Sequence, residues 1–147
     1  MLDDISRNAE GFARSLMAMA DYVDGSVEKV IRKACIDLYR RIATRTPVET
    51  GRARASWSLT TADTDEVAED KKYSEQELVG IINSKSAGFS AEISDGVVWI
   101  TNNLDYIEYL ENGSSSLAPN GMVAVSLADF ENHFNSALKG LEGLVPA

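Results

Sequence analysis

The stretch Phe89-Ser90-Ala91-Glu92-Ile93-Ser94-Asp95-Gly96-Val97-Val98-Trp99-Ile100-Thr101 carries the strongest local signal in the chain. Asp95-Gly96 separates two runs rich in β-branched and aromatic residues, and an Asp-Gly pair suits the tight turns whose twist matches that of paired strands. The spacing predicts a hairpin with arms at 89–93 and 97–101. A further strand signal lies upstream at 54–61, where Ala55, Trp57 and Leu59 alternate with Ser56, Ser58 and Thr60. That period of two describes a strand with one buried face.

Helical patterns surround these strands. Leu2, Ile5, Ala9, Phe12, Ala13, Leu16, Ala20 and Val23 recur at steps of three and four, the spacing of an amphipathic helix. Asp24-Gly25-Ser26 interrupts it, and Ser26 is placed to cap a second helix with Val27, Val30, Ile31, Ala34, Leu38 and Ile42 on one face. Pro47 ends that helix, because proline disfavours helical geometry in the residue before it. Thr46-Pro47-Val48-Glu49-Thr50-Gly51 reads as a turn. Residues 62–77 read as an acidic, mobile surface loop or insertion. Ser74 and Glu77 stand at capping-box spacing for a short helix through Ile82. A short helix is predicted over 105–111, stopped at Gly113, and 114–121 is a flexible loop by composition. A last helix with Val123, Leu127, Phe130, Phe134 and Leu138 on one face frays at Gly140 and Gly143. Helices, antiparallel strands and a closing helix together predict an α+β domain. Its small sheet of three to five strands carries a long amphipathic helix and the C-terminal helix packed on it.

The chain of 147 residues is the length of one ordinary domain, read as 1–147 with a helical extension at 1–24. It holds 14 basic and 23 acidic residues, a net charge of −9. That balance argues against bulk attraction to nucleic acid. The charge is uneven: residues 1–60 sum to +2 and residues 61–147 to −11. Between Lys29 and Arg54 lie eight basic residues against Asp37 and Glu49 alone. Such polarity suits head-to-tail pairing of copies or a basic stripe facing a polyanion; the other reading is two solvated faces. No apolar run approaches a membrane span, and the first residues lack the blocks of a secretory signal.

Little chemistry is on offer. There is no phosphate-binding glycine loop, no nucleophile elbow and no Cys/His set at metal spacing. His133 reads as a partly exposed helix residue, and the one cysteine, Cys35, as a buried unreactive thiol. Asp105, Glu108 and Glu111 share helical spacing, as a solvated acidic face or a carboxylate face for a cation. Trp57 and Trp99 read as core residues of strands. Tyr106 and Tyr109, with Ile107 and Leu110, leave a short helix apolar on most of its circumference, which predicts cover by its own domain or a neighbouring subunit.

Two segments resemble a known family. Pro47, Thr50, Gly51, Arg54, Ser56 and Trp57 match a P-x-x-T-G-x-x-R-x-S-W element. Tyr106, Tyr109, Glu111, Gly113, Ala118, Pro119, Gly121 and Met122 match Y-x-x-Y-x-E-x-G followed by A-P-x-G-M. In series the two elements resemble the tail-component and neck proteins of long-tailed bacteriophages, a group that includes the minor tail protein Z type. The resemblance covers residues 25–140 and departs in the N-terminal extension and the acidic insertion. It implies a non-enzymatic α+β virion protein, made in the host cytoplasm, without cofactor or metal. Copies would form a ring, six by the resemblance, that joins the head connector to neck and tail proteins and lets double-stranded DNA pass without sequence specificity. A tail terminator or a minor tail protein at the tail top is the close alternative. A small nucleic-acid- or protein-binding regulator and a hydrolase with an unrecognised carboxylate pair are the other classes. The matched residues read as scaffold: Pro47, Gly51, Gly113 and Pro119 shape turns, and the aromatics pack. Arg40, Arg41, Arg45, Arg52 and Arg54 are the candidates for the channel or a neighbour's acidic patch, with Tyr106, Tyr109 and Glu111 as interface candidates. On this reading, Arg52→Glu with Arg54→Glu leaves the subunit folded and blocks assembly.

Overall fold

The computed structural model describes residues 27–89 and 97–142, with side chains described at 32–89 and 97–132. The 2–23 helix, the Ser26 cap, most of the 89–101 hairpin and the His133 side chain lie outside the described residues. The described chain runs α1 (Val27–Arg45), α2 (Arg52–Ala55), β1 (Trp57–Thr60), α3 (Glu75–Gly88), β2 (Trp99–Asn102), α4 (Ile107–Glu111) and α5 (Val123–Glu142). It is an α+β arrangement of helices with a small antiparallel sheet. Among the described residues that sheet has two strands, fewer than the three to five expected.

β1 and β2 pair with Trp57 opposite Asn102, Ser58 opposite Thr101, Leu59 opposite Ile100 and Thr60 opposite Trp99. Directly opposed residues share a face, and faces alternate along a strand. Leu59, Ile100 and Trp57 therefore point to one side, and Trp99 points to the other. Trp57 is buried, whereas Trp99 is 38% exposed, which corrects the expectation that both tryptophans are core residues. The main core joins Ala34, Cys35, Leu38, Tyr39, Ile42 and Ala43 of α1 to Trp57, Leu59, Ile82, Phe89, Met122, Leu127 and Phe130. A satellite cluster of Ala55, Tyr73 and Leu78 lies beside it.

The strand predicted at 54–61 is shorter than its pattern. Gly51, at φ 91°, reverses the chain, and Ala55 N–H then donates to Gly51 O at 2.9 Å and Ser56 N–H to Arg52 O at 3.0 Å. Arg-Ala-Arg-Ala is good helix-forming sequence, so a single helical turn forms before β1 begins. A side chain at Gly51 would meet Tyr73 Cβ at 2.9 Å, so both the backbone angle and the space there require glycine. The serine side of β1 is not solvated either, since Ser56 and Ser58 are both buried. Ser56 Oγ accepts from Ala68 N–H at 3.0 Å, and Lys85 Nζ donates to Ala55 O and Trp57 O at 2.9 and 2.6 Å. Loop and helix cover a face that alternation alone assigns to water.

α3 begins as its sequence predicts. Ser74 Oγ accepts from Glu77 N–H and Glu77 Oε1 accepts from Ser74 N–H, both at 3.1 Å. The helix continues past Ile82 to Gly88 because tertiary contacts hold its polar end: Lys85 reaches β1, and Arg40 reaches Asn83 Oδ1 at 2.9 Å. α5 likewise runs through Gly140 to Glu142 rather than fraying at that glycine.

Candidate interaction site

The two sequence elements, one ending at Trp57 and the other beginning at Tyr106, meet in space. Thr46 is the hinge of the first. Its side chain is fully buried at the end of α1, where Oγ1 donates to Ile42 O at 2.8 Å and accepts from Trp57 Nε1–H at 2.7 Å. One hydroxyl thereby closes α1 and locks the indole. Arg54 reaches back to the same helix end, donating to Thr44 O at 2.8 Å and to Thr46 O at 2.9 and 3.2 Å. A cation there also meets the negative end of the helix dipole.

The second element is organised by Glu111. Its carboxylate accepts from the N–H groups of Met122, Val123 and Ala124, with nearest contacts of 2.9, 2.6 and 3.3 Å. These are donors at the start of α5 that no helical carbonyl satisfies, and a negative charge suits the positive end of the helix. Gly121, at φ 84°, permits the approach, since a Cβ there would lie 2.5 Å from Glu111 O and Glu111 Oε2. Glu111 is thus a capping group donated by another element, and it does not join Asp105 and Glu108 in a cation site. Among the described residues no group of three or more His, Cys, Asp or Glu side chains is placed to hold a metal.

Two adjoining clefts separate the elements. One, of about 490 Å³, is bounded by Arg45, Arg54, Leu117, Pro119 and Val125; the other, of about 690 Å³, by Glu49, Arg52, Asp70, Tyr106 and Leu110. Pro47, Val48 and Leu117 line both. The rim is apolar and open: Leu117 is 74% exposed, with Val48 and Tyr106 also exposed, and Tyr109 of α4, which lines neither cleft, is 69% exposed. Ile107 and Leu110, on the inner side of α4, pack against the main core. The described residues of the chain give α4 cover on one side only.

Most of the basic candidates are engaged within the subunit. Arg40 holds Asn83 and Ser86, Arg45 holds Ser126 and pairs with Asp129, and Arg52 Nε donates to Ala68 O at 2.9 Å. Arg41 is half-buried on α1. Burial lowers the Arg54 and Lys85 pKa values, opposed by the nearby carboxylates of Glu75 and Glu66 respectively. Burial pushes the Cys35 thiol up to about 11 and the Tyr39 phenol up to about 12, so both side chains stay neutral across the physiological range. Lys85, Thr46, Asn102 and Asn103 are structural residues that sequence reading passed over. Asn102 Nδ2 donates to Ala53 O at 2.9 Å, and Asn103 Nδ2 donates to Thr64 O at 2.8 Å. The adjacent Asn102-Asn103 pair at a strand end is the one local signal that pointed to them.

No family model, curated protein or solved structure matches the chain. Among the described residues no helix is long and apolar enough to cross a membrane.

Proposed function

We propose that this chain is a structural virion subunit of a tailed bacteriophage, a ring-forming neck or tail-completion component that joins the head connector to the tail. The observation that supports this reading is the convergence of the two family-like elements on one face. Their polar residues build the scaffold, and their apolar residues Val48, Tyr106, Tyr109 and Leu117 are left open. A chain that invests its most distinctive motifs in a rigid frame and an uncovered apolar rim is organised for contact with another macromolecule. In this reading α1 and α5 packed on the small sheet form the subunit body. Copies assemble, six to a ring, and double-stranded DNA passes through without sequence readout. The overall acidity of the chain suits a channel that must not grip phosphates.

The matching experiment is sedimentation velocity and electron microscopy of the purified chain, alone and with head connector particles. Closed rings, or rings that form only on the connector, are the expected result. A monomer that ignores connectors but binds duplex DNA with steep salt dependence would replace this reading with the regulator.

A further inference from the structure

We propose that the acidic loop of one copy docks in the arginine-lined cleft of a second copy, with Val67 against Val48 and Leu117. The inference rests on the self-assembling reading above and names the surfaces that would meet. The loop is preorganised through its main chain. Asn103 Nδ2 donates to Thr64 O and Glu66 O at 2.8 and 3.2 Å, Arg52 Nε to Ala68 O at 2.9 Å, and Tyr73 Oη to Glu69 O at 2.8 Å. Because the backbone is held, the side chains of Asp63, Asp65, Glu66, Glu69 and Asp70 are left outward and exposed. Val67, 42% exposed, sits among them as an apolar knob. Among the described residues the ion pairs are Arg45–Asp129 and Lys71–Glu77, so none of these five carboxylates has a cation at ion-pair distance.

The cleft of about 490 Å³ has the complementary character. Its charged lining is Arg54 and Arg45, the latter already paired with Asp129, it has no carboxylate in its wall, and Val48, Leu117 and Pro119 supply an apolar rim. Arg54 donates only to neutral carbonyls, so no hydrogen-bonded carboxylate cancels its charge. No residue of 61–72 lines this cleft, and Asp70 alone of that segment lines the adjoining one; Arg52 and Asn103 bond the loop's main chain at Ala68 and Thr64. Val67 lines neither cleft of its own subunit, which makes a second copy the partner that carries both complements. A loop held in place before contact loses little conformational freedom on docking, and opposite charges guide its approach.

The test uses full-length chains bearing Val67→Cys or Leu117→Cys, both at exposed positions, mixed under mild oxidation. The expected result is a disulfide-linked heterodimer in the mixture, about tenfold more abundant than the linked dimer of either variant alone, and suppressed by high salt. Asp63→Lys with Asp65→Lys and Glu69→Lys, on exposed side chains, is expected to weaken self-association at least about tenfold. Undiminished association without the 67–117 link would overturn the proposed interface and leave ring formation standing. A chain that stays monomeric at every concentration, alone and on connectors, would overturn both.

Discussion

Removal of the Glu111 carboxylate tests whether one side chain joins the two motif elements. Glu111→Ala deprives the N–H groups of Met122, Val123 and Ala124 of their acceptor. Met122 is fully buried, so water does not replace its partner, whereas Val123 and Ala124 are half-buried and regain part of the loss. Losing an ordinary helix cap costs about 1 kcal/mol. A hydrogen bond to a charged group is worth about 1.5–3 kcal/mol, and one buried orphaned donor adds to the cost. The expected destabilisation is therefore about 3 kcal/mol, or about 6–12 °C in Tm for a chain of this size. Glu111→Gln keeps one oxygen acceptor but turns an amide NH2 toward a backbone donor, and is expected to cost about half as much. Urea unfolding followed by Trp57 fluorescence, with circular dichroism as a second probe, measures both. A Glu111→Ala protein within about 0.5 kcal/mol of the parent, the range of an unremarkable surface change, would refute the capping role.

Arg54→Glu sets a carboxylate against the carbonyls of Thr44 and Thr46 and is expected to cost about 3 kcal/mol. Arg41→Glu, at a half-buried position of α1, is expected to stay within about 0.5 kcal/mol, and thermal melts distinguish the two. Thr46→Val leaves the Trp57 indole N–H buried without an acceptor, an expected loss of about 1–3 kcal/mol. Combined with Trp57→Phe, which removes the orphaned donor, it should cost about 1 kcal/mol less than the sum of the two single changes, a coupling that a double-mutant cycle reads directly. Alkaline unfolding follows from Cys35 and Tyr39, whose burial raises their pKa values from 9.0 to about 11 and from 10.0 to about 12. Above pH 9 the unfolded thiol has released its proton while the folded one retains it, so stability falls as pH rises, by about 1.4 kcal/mol per unit for each group in its window. Cys35→Ala should flatten that decline between pH 9 and 11 in urea titrations, and an unchanged slope would exclude the thiol as its cause.

The arginine predictions also show where reading along the chain stops. The density of basic residues between Lys29 and Arg54 suggested a stripe offered to DNA or to a neighbour. In the fold, Arg40, Arg45, Arg52 and Arg54 turn inward to Asn83, Ser126, Ala68 and the end of α1. An arginine donates through a rigid fork to whichever carbonyls come within reach, and its composition does not disclose which they are. The double substitution of Arg52 and Arg54 by glutamate is consequently a stability perturbation before it is an assembly one. The acidic loop shows the same limit: its composition marked a surface segment but not the side chains of Asn103 and Arg52 that bond its main chain. The residues that hold it lie 16 and 39 positions away from their acceptors.

Short-range physics was legible before any fold was in view. The Ser74–Glu77 box starts α3, Gly113 follows the last turn of α4, and a strand lies at Trp99–Asn102. Each depends on residues within a turn of one another, where capping geometry and backbone preference act without help. The rest waited on contacts between distant segments. Strand pairing set the register that sends Trp57 to the core and Trp99 to the opposite face. Folding brought Glu111 to the first turn of α5 and the two motif elements to the walls of shared clefts. A carboxylate eleven residues from its N–H partner, or an arginine 84 residues from its aspartate, is positioned by packing of the whole core, and no periodicity in the chain encodes that closure.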